Sequence, residues 1–138
     1  NTGVKAATIF RTNTKQGNVS LVVKNCTFYN LFSGEALMRD IIGSTNSFTA
    51  ENILFAGSGS VKIFNKTSDA PGIINGSKIY SSSDLTVANA GEVSTTALSY
   101  SSSQLFPNAS SSTDVLDLTF GADIPNEVKI IGDPRWNK

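Results

Sequence analysis

No histidine occurs in this chain of 138 residues. Its absence removes histidine acid–base catalysis, the Ser-His-Asp triad and every zinc site built on imidazole. The single cysteine, Cys26, permits neither an internal disulfide nor a cysteine-rich metal cluster. A charge excess of either sign is missing too, since 11 Lys plus Arg balance 11 Asp plus Glu. Without a basic surplus to neutralise phosphates, nucleic acid and anionic membrane surfaces are not expected partners. No apolar run approaches the ~18 residues that would span a bilayer. No signal peptide opens the chain, which begins at Asn1 in mid-pattern, as expected where a targeting segment has been removed.

What is present points to strands. Serine and threonine number 32 and asparagine 13, while only 16% of residues are charged. Disorder goes with high charge and few apolar residues, but 39% of this chain is apolar, including eight Phe. Val, Ile, Leu and Phe come in short runs punctuated by Gly, Ser, Asn and Asp, the grammar of strands and turns. SGEALMRDII (33–42) is the best helical candidate, yet it is short and ends at Gly43, and it reads as a strand because it repeats.

Three segments share one order of residue types, aliphatic then large apolar then polar: Ile9-Phe10-Arg11, Leu37-Met38-Arg39 and Ile63-Phe64-Asn65. The steps from Phe10 to Met38 to Phe64 are 28 and 26 residues. A second column holds Phe28, Phe55 and Tyr80, with steps of 27 and 25. Two columns at nearly one period, with two or three short strands per unit, predict an all-β solenoid of about three coils. Coils stacked roughly 4.8 Å apart align like residues into ladders around an apolar interior. Asn25 and Asn52 each precede their Phe by three, so they are expected to stack at a coil corner, with Ser77 ending that ladder in the third coil.

Repeats are placed at about 4–30, 31–57 and 58–82, followed by an irregular carboxy-terminal cap over 83–138. Within 81–112 only one or two weak strands are expected. VLDLTF (115–120) alternates, with Leu116, Leu118 and Phe120 on one face, and EVKII (127–131) reads as a further short strand. Trp136 is expected to plug the cap, because a solenoid end exposes an unpaired edge and an open core. The amino end has no such segment, so further coils or another domain of a longer protein are expected to stack there.

KNCTFYNLFSGEALMRD (24–40), TAENILFAG (49–57) and the closing IIGDPRW (130–136) together resemble the carboxy-terminal modules of secreted pectate-lyase-like proteins. Those modules are domains of unknown function from glycan-degrading Gram-negative gut bacteria. The resemblance covers most of the chain and implies a right-handed parallel β-helix that is secreted, periplasmic or on the cell surface and associated with polysaccharide. It implies no activity of its own.

A pectate-lyase-like enzyme holds calcium on several carboxylates and uses Arg or Lys as base. Residues 1–80 carry only Glu35, Asp40, Glu51 and Asp69, no two in one repeat column, so calcium has no acid cluster behind it and no metal or other cofactor is expected. The more informative column is basic: Arg11 and Arg39 are equivalent, with Asn65 and Lys66 on the next coil. Like charges at coil spacing repel unless something negative lies between them. Asp40 or Glu35 would make a paired surface strip; a uronate held in a bidentate fork would make a binding site. If Phe10, Met38 and Phe64 point inward, the arginines point outward beside an aliphatic stripe. Tyr29 is expected to face out as a sugar platform. Three readings follow: a non-catalytic glycan-binding or scaffolding module, a lyase or hydrolase whose site is incomplete in this chain, and a structural spacer or adhesin stalk. The first is favoured, with Arg11, Arg39, Asp40, Lys66 and Tyr29 as candidate contacts to a polysaccharide, possibly acidic.

Overall fold

The computed structural model describes residues 8–11, 18–31, 36–39, 45–65, 72–88, 93–109 and 116–137. Among the described residues eight strands come first: β1 (Thr8–Arg11), β2 (Ser20–Tyr29), β3 (Ala36–Arg39), β4 (Ser47–Ala56), β5 (Gly59–Asn65), β6 (Ile73–Ser81), β7 (Leu85–Ala88) and β8 (Thr96–Ala97). Consecutive strands fall in alternate sheets. One sheet runs β1-β3-β5-β7 and the other β2-β4-β6-β8, with every pairing parallel. The described residues are mostly β, with parallel sheets and few helices, which is compatible with the expected all-β fold; β7 and β8 add a fourth short pair beyond the three repeats seen in the sequence.

The register agrees with the first column residue for residue: Phe10 pairs Met38, Met38 pairs Phe64, and Arg11 pairs Arg39, which pairs Asn65. In the second column Phe28 pairs Phe55, their rings stacked with centroids 5.4 Å apart. The third member differs. Tyr80 pairs Leu54, and it is Ser81 that lies opposite Phe55. The aromatic column therefore ends after two rings, and the corner opposite Asn52 belongs to Lys78, not Ser77, since Glu51 pairs Ser77 and Ile53 pairs Ile79.

β2, β4 and β6 are long because each turns a corner without breaking its ladder. Asn25, Asn52 and Lys78 sit at φ of 52°, 52° and 54°. Asparagine is among the few residues that visit this left-handed region readily. One such residue inverts the strand's alternation. In β4, Phe48 and Ala50 face the core between the sheets, then Ile53 and Phe55 do, while Leu54 and Ala56 turn to the opposite side. The two corner amides are joined, Asn52 Nδ2 donating to Asn25 Oδ1 at 2.9 Å. A second asparagine, Asn46, is fully buried where the even strands begin. Its Oδ1 accepts from Val19 N–H at 2.7 Å and its carbonyl from Ile73 N–H at 2.8 Å, while Ser47 N–H bonds Val19 O.

The first core fills the space between the sheets with Phe48, Ile53, Phe55 and Ile79 from one side and Leu37, Val61 and Ile63 from the other. The parity that the sequence leaves open for the first sheet is read at Leu37 and Ile63, which are fully buried in this core, with Phe10 half-buried against it. Branched aliphatics fit the narrow, tightly stacked interior, where sheet faces are about 10 Å apart. Val93 closes in against Gly76, and a Cβ at Gly76 would lie 2.3 Å from it.

The tail departs most from expectation. It packs along the outer side of β2, β4 and β6, making a second core in which Leu105, Phe106, Leu118, Phe120, Ile124, Val128 and Ile131 cover Leu54 and Ala56, with Tyr29 and Tyr80 at its margin. Trp136 lies half-buried on this lateral cluster, so it covers a sheet face and does not plug the end of the stack. Of residues 127–131, the first three are helical, within α2 (Asn126–Lys129), and Ile130 is its C-cap. Pro125 precedes that helix at φ −62°, and the buried pair Val128 and Ile131 is spaced by three, leaving Ile130 68% exposed. Over 116–120 there is no strand pairing; Leu118 and Phe120 are buried as alternation implies, but Leu116 is exposed. The other helix, α1 (Ser102–Leu105), was not anticipated; it opens with a Ser101–Gln104 capping box.

The closing GDPRW works as a clasp. Gly132 N–H donates to Asn52 Oδ1 at 3.2 Å, and Asp133 N–H to Thr27 Oγ1 at 3.1 Å. Asp133 then accepts from Arg135 N–H at 3.0 Å, capping the 3₁₀ turn Pro134–Trp136. Gly132 has φ +80°, and a Cβ there would stand 2.5 Å from Thr27 Oγ1 and 3.1 Å from Leu54 Cβ. Gly132→Ala is therefore expected to cost about 1–3 kcal/mol and to loosen the tail. Urea unfolding measures the loss, and a red shift of the fluorescence from the chain's single tryptophan reports the loosening. Lys78→Asn should act in the opposite sense, raising stability by about 0.5–1 kcal/mol because asparagine relieves the left-handed strain at that corner.

Candidate functional site

The residues singled out from the sequence do not converge on one described site. Arg11 and Arg39 are register partners in the first sheet, and of these two only the backbone is described. Asp40 and Lys66 lie outside the described residues. The stripe expected to flank the arginines as a groove is core at Leu37 and Ile63. Tyr29 does face away from the first core, but its ring meets Phe106 edge-on at 6.0 Å, inside the second core, so the tail occupies the platform.

A concave surface lies on the tail itself. A cleft of about 310 Å³ is lined by Tyr100, Ser103, Gln104, Pro107, Asp123 and Ile124, with Gly121 and Ala122 completing it. Its volume is at the low end of small-ligand pockets. Two local structures build it. On one side, α1 is held by its capping box: Ser101 N–H donates to Gln104 Oε1 at 2.8 Å and Gln104 N–H to Ser101 Oγ at 3.3 Å. On the other, a turn at Gly121–Ile124 packs on the end of α1, Gly121 N–H bonding Leu105 O at 2.9 Å and Ile124 N–H bonding Gly121 O at 3.1 Å. Gly121 allows that approach, since a Cβ would fall 2.8 Å from Gln104 O.

Asp84 ties this structure to the sheets. Its carboxylate accepts from Ser102 N–H at 2.9 Å and Ser102 Oγ at 2.6 Å. Burial alone would raise its pKa, but the hydrogen bonds from Ser102 and Ser82 outweigh it and hold the carboxyl below its ordinary value. Ser83 N–H bonds Tyr100 O at 2.8 Å, setting the backbone of the cleft's aromatic residue. The sequence carried a signal for α1 in Ser101-x-x-Gln104, a capping-box spacing. The cleft itself joins two loops about 20 residues apart and left no periodic trace.

Most other described carboxylates are engaged. Glu51 Oε2 meets Lys24 Nζ at 2.5 Å, and that partner holds its carboxyl below the ordinary value. Asp117 accepts from Thr119 N–H at 2.9 Å. Arg135 hydrogen-bonds Asp133 and lowers it against an opposing effect of burial. Cys26 lies beside this pair; burial first, then the charge of Asp133, raises its thiol, against a smaller opposing effect of Arg135. A raised thiol is a poor nucleophile at neutral pH. Among the described residues no three His, Cys, Asp or Glu side chains converge to hold a metal, and no helix is long and apolar enough to cross a membrane.

Asp84, Asp133 and Glu51 are all lower in the folded chain than in the unfolded one. Their stabilisation is therefore present above the ordinary carboxylate range, about pH 4, and is lost as pH falls through their lowered values. The urea midpoint should fall between pH 6 and pH 3. In Asp133→Asn, which keeps an oxygen for the Arg135 N–H but cannot ionise, the fall should be smaller; an equal fall would show that this carboxyl does not carry the acid response.

Comparison with protein-family models, with curated proteins and with solved structures found no match, so the geometry and the sequence pattern carry the functional reading.

Proposed function

We propose that this chain is a right-handed parallel β-helix that serves as a non-catalytic, polysaccharide-associated module of a secreted or cell-surface protein. Three features support the fold: strands alternating between two parallel sheets, a repeat step of 26–28 residues from β1 to β7, and left-handed asparagine corners joined amide to amide. The resemblance of 24–40, 49–57 and 130–136 to modules of pectate-lyase-like proteins supports the handedness and the polysaccharide association.

The observation that carries the function is the chemistry of the cleft. An aromatic residue, apolar Pro107 and Ile124, and the polar groups of Ser103, Gln104 and Asp123 meet on a support fastened to rigid sheets. Such a mixture suits a sugar ring, whose faces are apolar and whose rim is hydroxylated. Hydrolysis by the common two-carboxylate route needs a pair of acids about 5–9 Å apart across the bond. The cleft is lined by one carboxylate, Asp123.

A panel of neutral and uronate-containing polysaccharides, with and without calcium, tests this reading on the whole chain. Binding without release of reducing ends or unsaturated products is the expected result. Cleavage of any member would make the chain an enzyme. Silence across the panel from a folded chain would favour the structural spacer. An Arg11→Ala/Arg39→Ala variant alongside decides whether the first sheet's basic column takes part.

A further inference from the structure

We infer that the cleft beside α1 takes an uncharged saccharide, held by Tyr100, Gln104 and Asp123, and discriminates against uronates. The inference rests on the glycan-binding reading and goes beyond it by assigning the site and the ligand's charge. It also departs from the acidic glycan that the arginine column suggested.

Hydrogen-bond accounting decides the polarity of the cleft. Gln104 Oε1 already accepts from Ser101 N–H at 2.8 Å and from Ser101 Oγ at 3.1 Å. Its amide oxygen is spoken for, so the group it offers a ligand is the NH2, a pure donor. Asp123 is an acceptor, and no donor among the described residues engages it; Glu51, Asp84, Asp117 and Asp133 all have partners. One donor and one free acceptor on opposite walls match hydroxyls, each of which both donates and accepts. Ser103, whose Oγ lies 3.1 Å from Ser101 Oγ, adds a group of either sense.

Charge then selects among sugars. The lining contains no Lys or Arg, and its one ionisable acid is Asp123. A uronate entering the cleft would bring a second negative charge to Asp123 with no cation to offset it, and like charges at contact distance repel. A neutral hexose or pentose meets no such penalty. Tyr100, Pro107 and Ile124 give its C–H face an apolar seat, and the cleft's size suits a chain end or a single residue better than a long run of sugars.

The test uses the whole chain and isothermal titration with neutral hexaoses of glucose, mannose, galactose and xylose, beside hexagalacturonate. At least one neutral hexaose should bind and hexagalacturonate should bind at least tenfold more weakly. Tyr100→Ala should weaken the neutral ligand about tenfold, the scale of a lost aromatic contact. Asp123→Asn should weaken it about threefold or more, through a lost charged acceptor, and narrow the gap to hexagalacturonate. Because Tyr100 also packs on the second core, Asp123→Asn, at an exposed turn, keeps the test meaningful should Tyr100→Ala unfold; amide shift changes at Ser103 and Gly121 on titration give a second readout. Hexagalacturonate binding as tightly as the neutral ligands overturns the inference. So does neutral binding that Asp123→Asn leaves unchanged with no shifts at Ser103 or Gly121, while the glycan-binding reading survives. No binding of any polysaccharide by the folded chain removes both.

Discussion

The left-handed corner at Asn25 and Asn52 is the constraint on which the rest of the molecule depends. A strand without it would keep one alternation along its ten residues and would set Leu54 and Ala56, not Ile53 and Phe55, on the face of Phe48 and Ala50. With one residue at φ 52°, the alternation inverts and the later half of β4 presents Ile53 and Phe55 inward while Leu54 and Ala56 turn outward. The run Ile-Leu-Phe-Ala is apolar on both faces in either parity and needs two cores; the corner decides that Ile53 and Phe55 meet the first and Leu54 and Ala56 the second. Asparagine satisfies the corner twice. It tolerates the backbone conformation, and its amide can bond the amide of the next strand in register. Lys78 tolerates it less well and cannot continue the amide column, so the ladder stops there.

The second core follows from the first. An outward Leu54 on a bare sheet would leave an apolar patch in water, and burying such a side chain is worth about 1.5–3 kcal/mol. The tail supplies that cover, and the corner asparagine guides it into place: Asn52 bonds Asn25 through its NH2 and accepts from Gly132 through its oxygen. One side chain therefore links the stacking of strands to the docking of the tail. Gly132 brings the backbone down onto Thr27 and Leu54, and Asp133 turns the chain away through its bonds to Arg135. GDPRW reads as a set of local requirements: a residue without Cβ, a cap, a proline at the first helical position, a counter-charge and a large ring to cover the sheet.

Much of the stack could be read from the sequence because identical geometry recurs at a nearly constant step. Phe10, Met38 and Phe64 align to the residue, as do Phe28 and Phe55. The reading slipped where it followed residue type over step. Matching Tyr80 to Phe55 moved the third corner to Ser77, one place short of Lys78. Periodicity left the parity of the first sheet open, because large apolar and aliphatic residues adjoin in each repeat, and its core positions hold Leu37, Val61 and Ile63. In the tail the repeat fades, and alternation over 127–131 concealed a spacing of three between Val128 and Ile131. The cleft was illegible for a different reason: its residues come from two loops, and nothing in either alone announces a surface.

That division also explains why the proposed binding site lies on the tail. Strands in a parallel stack commit both faces, one to the core and the other to neighbours or cover, and each side chain is repeated by the next at about 4.8 Å. A selective site needs unlike groups at unlike heights, which a ladder of like residues supplies poorly. The tail is released from the repeat, so it can set a tyrosine, an amide donor and a carboxylate together. It would be too pliable to hold them if it hung free. Asp84 holds α1 from the sheet side, and Ser83 bonds the Tyr100 carbonyl. These ties come from the turn between β6 and β7, which the ladder keeps in position. In the proposed site the paired sheets would supply rigidity and the irregular tail chemistry, the arrangement expected where loops on a firm scaffold carry recognition.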